Sequence, residues 1–287
     1  MATGMRGEAL VTLVTRGEDA LVVVGSTTAA WVPRTSIVTR LSDAPATVVL
    51  LSGPAGSGKT TVAQQWAAED TRPHHHLRLA THLDDPATLA DLVLAAFEAI
   101  GPREPLARSS VTGLEPTFSS VVLPGLAELA ASRSTPYVLL LDDLHLVRDP
   151  DCLRLVRTLA EAVPAGSVLA LLSRESTPTW VSRLRADGRL LELTSDDLAF
   201  DGHELDALLA SFGIGLRAGD RAELLQRTEG WAVALYLEAL ALRESRPLLP
   251  RQGEPRAMGD LGFARDYIEA EVLEPLPEET RDFLLRT

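Results

Sequence analysis

The run Gly53-Pro54-Ala55-Gly56-Ser57-Gly58-Lys59-Thr60 decides the fold. It matches G-x-x-x-x-G-K-[ST], in which backbone N–H groups wrap phosphates, the lysine reaches the outer oxygens and the Ser/Thr hydroxyl meets Mg2+. Of the 27 Lys and Arg residues in the chain, Lys59 alone is lysine. A compact ammonium slips between phosphate oxygens under a tight loop, where a forked guanidinium fits poorly. The exception therefore points to phosphate. Gly53, Ala55, Gly56, Ser57, Gly58, Lys59, Thr60 and Thr61 are assigned to a nucleotide, with Thr60 also a Mg2+ ligand. Just before the loop, residues 46–52 form a short apolar, β-branched run that reads as a buried strand. Just after it, residues 60–70 are helix-prone, so a helix N-terminus points at the phosphates.

Bulk properties narrow the class. A chain of 287 residues has room for one large or two modest domains, and 46% hydrophobic with 23% charged residues is ordinary for a globular protein. A net charge of −13 argues against a nucleic-acid surface. The single cysteine, Cys152, excludes an internal disulfide and fits a reducing compartment. No apolar run reaches the roughly 18 residues that a membrane helix needs. Arg6, Glu8, Arg16, Glu18 and Asp19 make the N-terminus unlike a signal peptide. The chain reads as cytoplasmic, with no membrane partner.

Alternation of element types gives the fold class: α/β, a parallel sheet with helices on both faces, followed by helices alone. Strands are expected over 76–80, 136–142, 167–173 and 190–193. Helices are expected over 37–41, 86–100, 123–132 and 152–163, with an exposed connection over 101–120. Past Phe200, helical periodicity covers 202–212, 220–227 and 231–243 with no strand between. The organisation is an extension over 1–30, a nucleotide-binding domain over 31–200, a helical domain over 201–245 and a linker over 246–262. Two further helices begin over 263–287. The extension is open between a strand pair and a segment outside the fold. Helical periodicity reaches Thr287 without a Gly or Pro stop, as expected of an incomplete domain.

Val138-Leu139-Leu140-Leu141-Asp142-Asp143 supplies the second half of the site. A carboxylate at the tip of a strand beside the loop can hold Mg2+ through water, which assigns Asp142; Asp143 can orient or deprotonate the attacking water. Aspartate is one methylene shorter than the glutamate common there, so hydrolysis is expected to be slow. If a strand separates the loop-bearing and acid-bearing strands, Ser173-Arg174 ends beside the loop and Arg174 aims at a γ-phosphate. His74-His75-His76 cannot all face one ion from a strand, whose side chains alternate, and reads as the solvated start of that strand. His145 reads as structural and Cys152 as core. Trp231 is either a core tryptophan or the helical-domain turn that closes over a nucleotide base.

Together these residues resemble the signal-transduction ATPases with numerous domains (STAND), and within them the MalT-like, LuxR-type large ATP-binding transcription regulators. The resemblance rests on Val32-Pro33-Arg34, the Gly53–Thr60 loop, Leu140-Leu141-Asp142-Asp143-Leu144-His145, Ser173-Arg174, Leu198-Ala199-Phe200 and Thr228-Glu229-Gly230-Trp231 with Leu235. It extends through Tyr267 to Leu273 and Phe283 to Leu285. It implies an ATP/ADP switch with Mg2+, the start of a winged-helix domain over 263–287, self-association in the ATP state, and DNA contact only through domains outside this chain. It also implies that Val32 and Arg34 line the adenine site and that Trp231 lies near it. Two other classes remain open: a turnover ATPase of the AAA+ kind, with Arg133, Arg148 or Arg157 as a finger toward a neighbour, and a module that holds nucleotide without hydrolysis.

Overall fold

The computed structural model describes residues 32–101, 118–174 and 178–244. The expectations for 1–30, 246–262 and 263–287, and most of the 101–120 connection, lie outside the described residues. The chain divides into two compact units, Met1–Val32 and Pro33–Thr287. The second contains the sheet.

Its strands are β1 (Val48–Ser52), β2 (His74–Arg78), β3 (Val138–Asp142), β4 (Val168–Ser173) and β5 (Leu190–Leu193), in the order β2-β3-β4-β1-β5. The three central strands, β1, β3 and β4, are short apolar runs that cannot leave either face in water, while the edge strands are more exposed. Every pairing is parallel. Alternation along each strand divides the core. Val48, Leu50, Leu139, Leu141, Leu169 and Leu171 point to one face, where α3 (Pro86–Ile100), α4 (Leu123–Ala131) and α5 (Pro150–Ala162) cover them. Val49, Leu51, Leu140, Ala170 and Leu172 point to the other, under α1 (Thr35–Asp43) and α2 (Lys59–Glu69). The expected α/β sheet with helices on both faces is what the chain builds.

Two boundaries carry information. β5 occupies the residues expected of it, whereas β2 begins two residues before the expected 76–80. Its start is set by its partner: Val138 N donates to Pro73 O at 3.0 Å and His74 opposes Val138, so pairing begins at the histidines. The short helices α6 (Ser182–Ala186) and α7 (Ser195–Leu198) had no periodicity to announce them. α7 is fixed by a capping box in which the Thr194 and Asp197 side chains each accept from the other's backbone amide.

Beyond α7 lie α8 (Gly202–Ser211), α9 (Ala218–Thr228) and α10 (Ala232–Glu244), with no strand between them. Arg34, just before α1, ties them to the sheet. Its Nε donates to Glu204 Oε1 at 2.7 Å and its Nη2 to Leu198 O at 2.7 Å, while the guanidinium lies 4.6 Å from the Phe200 ring centroid. Glu204 also closes the α8 capping box through the Asp201 amide. Arg34 is only 2% exposed, so removing its counter-ion leaves a buried charge unpaired. Glu204→Ala is expected to destabilise the protein by about 3–5 kcal/mol. Urea denaturation should read this as a lowered midpoint, with Glu204→Gln falling between the two.

Candidate nucleotide site

The loop between β1 and α2 turns its backbone inward because Gly56 (φ 71°) and Gly58 (φ 89°) take left-handed conformations that a side chain would strain. Lys59 closes the loop on itself. Its Nζ donates to Gly53 O at 2.7 Å, Pro54 O at 2.8 Å and Ser57 Oγ at 3.3 Å. Gly53 N donates to Ser173 O at 3.2 Å, which ties the loop to the end of β4. Ala55, Ser57 and Lys59 are buried, and Thr60 and Thr61 half-buried in the first turn of α2.

Because β4 lies between β3 and β1, Arg174 follows β4 beside the loop. Burial, and then the charge of Arg174, push the Lys59 ammonium down from 10.5 to about 8, against the opposing pull of Asp142 and Asp143. Two positive charges this near each other fit an anion, which would relieve their mutual repulsion.

The acids stand at the tip of β3. Asp142, 2% exposed, takes Thr60 Oγ1 at 2.7 Å on Oδ2 and the Asp143 amide at 2.8 Å on Oδ1; His76 Nε2 lies 3.2 Å from Oδ2. Burial alone would push this carboxyl up, but the bonds from His76, Thr60 and the Asp143 amide hold it below the ordinary carboxylate value. A buried carboxylate paired with a hydroxyl is a hard-oxygen donor set that suits Mg2+ completed by phosphate and water. Among the described residues no group of three or more His, Cys, Asp and Glu could hold a metal by itself. Asp143 follows in a left-handed conformation (φ 58°), which costs a non-glycine residue about 1–2 kcal/mol. Its Oδ2 accepts from Arg78 Nε at 2.9 Å.

The helical segment reaches the loop from outside. Trp231 Nε1 donates to Ala55 O at 3.0 Å, and Val233 N, in the first turn of α10, donates to Gly56 O at 3.1 Å. The turn before it needs Gly230 (φ 71°): an added Cβ would lie 2.8 Å from Phe200 O and 2.9 Å from Phe200 N. The structure thus brings Lys59, Thr60, Asp142, Asp143, Arg174 and Trp231 to one loop. Arg34 is close by, since a Cβ on Gly58 would lie 3.5 Å from its Nη1. Its guanidinium is nonetheless committed to Glu204 and the Leu198 carbonyl. Val32, the last residue of the first unit, is buried. Of the arginines considered as fingers, Arg133 donates to Phe97 O and Gly101 O, and Arg157 to Glu161 Oε1 on its own helix.

Sequence reasoning missed His76, Arg78 and Glu204. The first two carried one available signal: they fall two residues apart on an expected strand, and so share a face.

The loop, the acid pair and the β2-β3-β4-β1-β5 order define a P-loop NTPase. The AAA ATPase domain family matches residues 35–172. The chain is 29% identical over 250 residues to the HTH-type transcriptional regulator MalT of Yersinia enterocolitica, covering 83% of this chain and 27% of that protein. It is 30% identical over 250 residues to MalT of Yersinia pestis, with the same coverage. The chain therefore spans about a quarter of the length of these relatives. A STAND protein with a tetratricopeptide repeat sensor from Pyrococcus horikoshii shares the fold: TM-score 0.52, 17% identity, 88% of this chain and 34% of that one. The chain has the P-loop NTPase fold and is similar over most of its length to MalT-type regulators.

The depressed Lys59 ammonium has a measurable consequence. Free protein loses that proton as pH rises through about 8, whereas an adjacent phosphate favours the charged form and raises its pKa. Nucleotide binding just above pH 8 should therefore take up a proton, and ATP affinity should fall as pH climbs through that range. Titration calorimetry in two buffers of different ionisation heat reads the uptake.

Proposed function

We propose that this chain is the ATP/ADP switch module of a signal-responsive, LuxR-type transcription regulator in the cytoplasm, in which slow Mg2+-dependent hydrolysis controls self-association. The observation that carries the reading is the pair of bonds from Trp231 Nε1 and Val233 N to the Ala55 and Gly56 carbonyls. They attach the helical segment to the element that touches phosphate, so a change in the loop is felt by α8–α10. A switch depends on such an attachment.

In such a switch residues 31–200 bind nucleotide, 201–245 form the helical domain, 246–262 link it onward and 263–287 begin a winged-helix domain. The extension over 1–30 has no assigned part. DNA contact is assigned to no residue of this chain; the net charge of −13 supports that. Among the described residues no helix is long and apolar enough to cross a membrane.

Thr60 and Asp142 would hold Mg2+, which when bound neutralises developing charge on the phosphates. Lys59 and the loop amides hold the phosphates. Asp143 accepts a proton from the attacking water. Arg174 pairs with the γ-phosphate and so distinguishes ATP from ADP. Val32, Arg34 and Trp231 belong to the base side, where Arg34 acts through the wall it builds with Glu204 and Phe200.

Three variants separate these roles. Lys59→Ala and Lys59→Arg should each lose tight ATP binding, since a charge-assisted contact is worth about 1.5–3 kcal/mol. Asp143→Asn should bind ATP normally and hydrolyse it about 100-fold more slowly in single-turnover assays; an unchanged rate would remove Asp143 from the chemistry.

Arg174→Ala tests the switch. It should keep ADP affinity within about threefold while ATP loses about tenfold, or 1.4 kcal/mol. Light scattering should show greater mass for the wild-type chain with ATP than with ADP, and no such difference for the variant. Equal loss of both affinities would make Arg174 a general phosphate ligand instead.

A further inference from the structure

His76 has no part in the proposed switch, although it sits among the groups that form it. It lies on β2, the edge strand, whose pairing with β3 sets Arg78 opposite Asp142 and His76 opposite Leu140. From there its ring reaches diagonally to Asp142, with Nε2 at 3.2 Å from Oδ2. An ionised carboxylate only accepts, so Nε2 carries the donated proton. The same Oδ2 accepts Thr60 Oγ1 at 2.7 Å, and Oδ1 accepts the Asp143 amide at 2.8 Å. The carboxylate is thus held from three directions: by α2, by its own turn and by the neighbouring strand.

These contacts are not equivalent. The Thr60 hydroxyl is itself assigned to the metal, so its lone pairs and proton have a second use. The Asp143 amide fixes only Oδ1. His76 alone holds Oδ2 from a group with no other part in the site, and it does so from a strand whose backbone is locked to β3 along the whole of its length. We propose that His76 is a positioning residue, whose ring N–H holds the Asp142 carboxylate in the orientation that productive Mg2+–nucleotide binding requires. The inference rests on Asp142 as a metal ligand. Arg78, two residues on and on the same face, is bonded to Asp143, so it serves as a control from the same strand.

The test measures ATP affinity of the whole chain by titration calorimetry, once with Mg2+ and once with the metal chelated. Wild type, His76→Ala, His76→Gln, Arg78→Ala and Asp142→Asn are compared. His76→Ala should lose about five- to tenfold in affinity with Mg2+ and stay within about twofold without it. His76→Gln, whose amide N–H can take the place of the ring N–H, should recover most of the loss. Arg78→Ala should leave the Mg2+ dependence as in wild type.

Equal weakening of His76→Ala with and without Mg2+ would overturn the proposal, because it would mean general damage or a direct phosphate contact. So would an unchanged His76→Ala, a His76→Gln no better than alanine, or an Arg78→Ala that lowers the Mg2+ dependence as much. Asp142→Asn separates the two layers. If it leaves the Mg2+ dependence intact, the metal-ligand reading fails and takes this one with it; if it abolishes that dependence while His76→Ala does not alter it, only His76 is wrong.

Discussion

Everything in this site depends on a buried ammonium that has to find oxygen acceptors. Lys59, 8% exposed, finds them in the Gly53 and Pro54 carbonyls and the Ser57 hydroxyl. A charge buried without such partners would be prohibitively costly. Satisfying it bends the chain back over its own lysine, and glycines at Gly56 and Gly58 make the bend possible without strain. The loop is thus held in shape by its own residues. Arg174 adds a second positive charge near Lys59.

That shape is also held from outside. The Ala55 and Gly56 carbonyls accept from Trp231 Nε1 and Val233 N. Arg34 makes a second attachment, through Glu204 and the Leu198 carbonyl. Gly230 makes a third possible, by letting the turn before α10 approach Phe200 at a distance no Cβ would tolerate. The helical segment therefore meets the nucleotide site through backbone groups of the loop itself. This is the physical basis of the proposed switch: the two halves share hydrogen bonds, so neither can rearrange alone.

The acids show how strain and burial are shared out. Asp142 is deeply buried and fully hydrogen-bonded, whereas Asp143 takes a left-handed backbone to leave the strand and pairs with Arg78, which is 72% exposed at its side chain. The Asp143 carboxylate itself is 15% exposed, with His145 Nδ1 4.0 Å from its Oδ1.

What the sequence determined by itself was whatever is local. The phosphate loop, with its lone lysine, spells out its chemistry in consecutive residues. The runs that became β1, β3 and β4 are apolar enough to be buried on both faces, which pointed to a parallel sheet. The polar His74–His76 run concealed the start of β2, because an edge strand can tolerate exposed residues and only its pairing with β3 reveals where it begins. Tertiary structure decided the partners: His76 with Asp142, Arg78 with Asp143, Arg34 with Glu204 and Trp231 with Ala55. Periodicity says which face a side chain occupies, but not which distant residue will stand opposite. That depends on strand order, register and the docking of α8–α10, which are settled by burying the whole core at once.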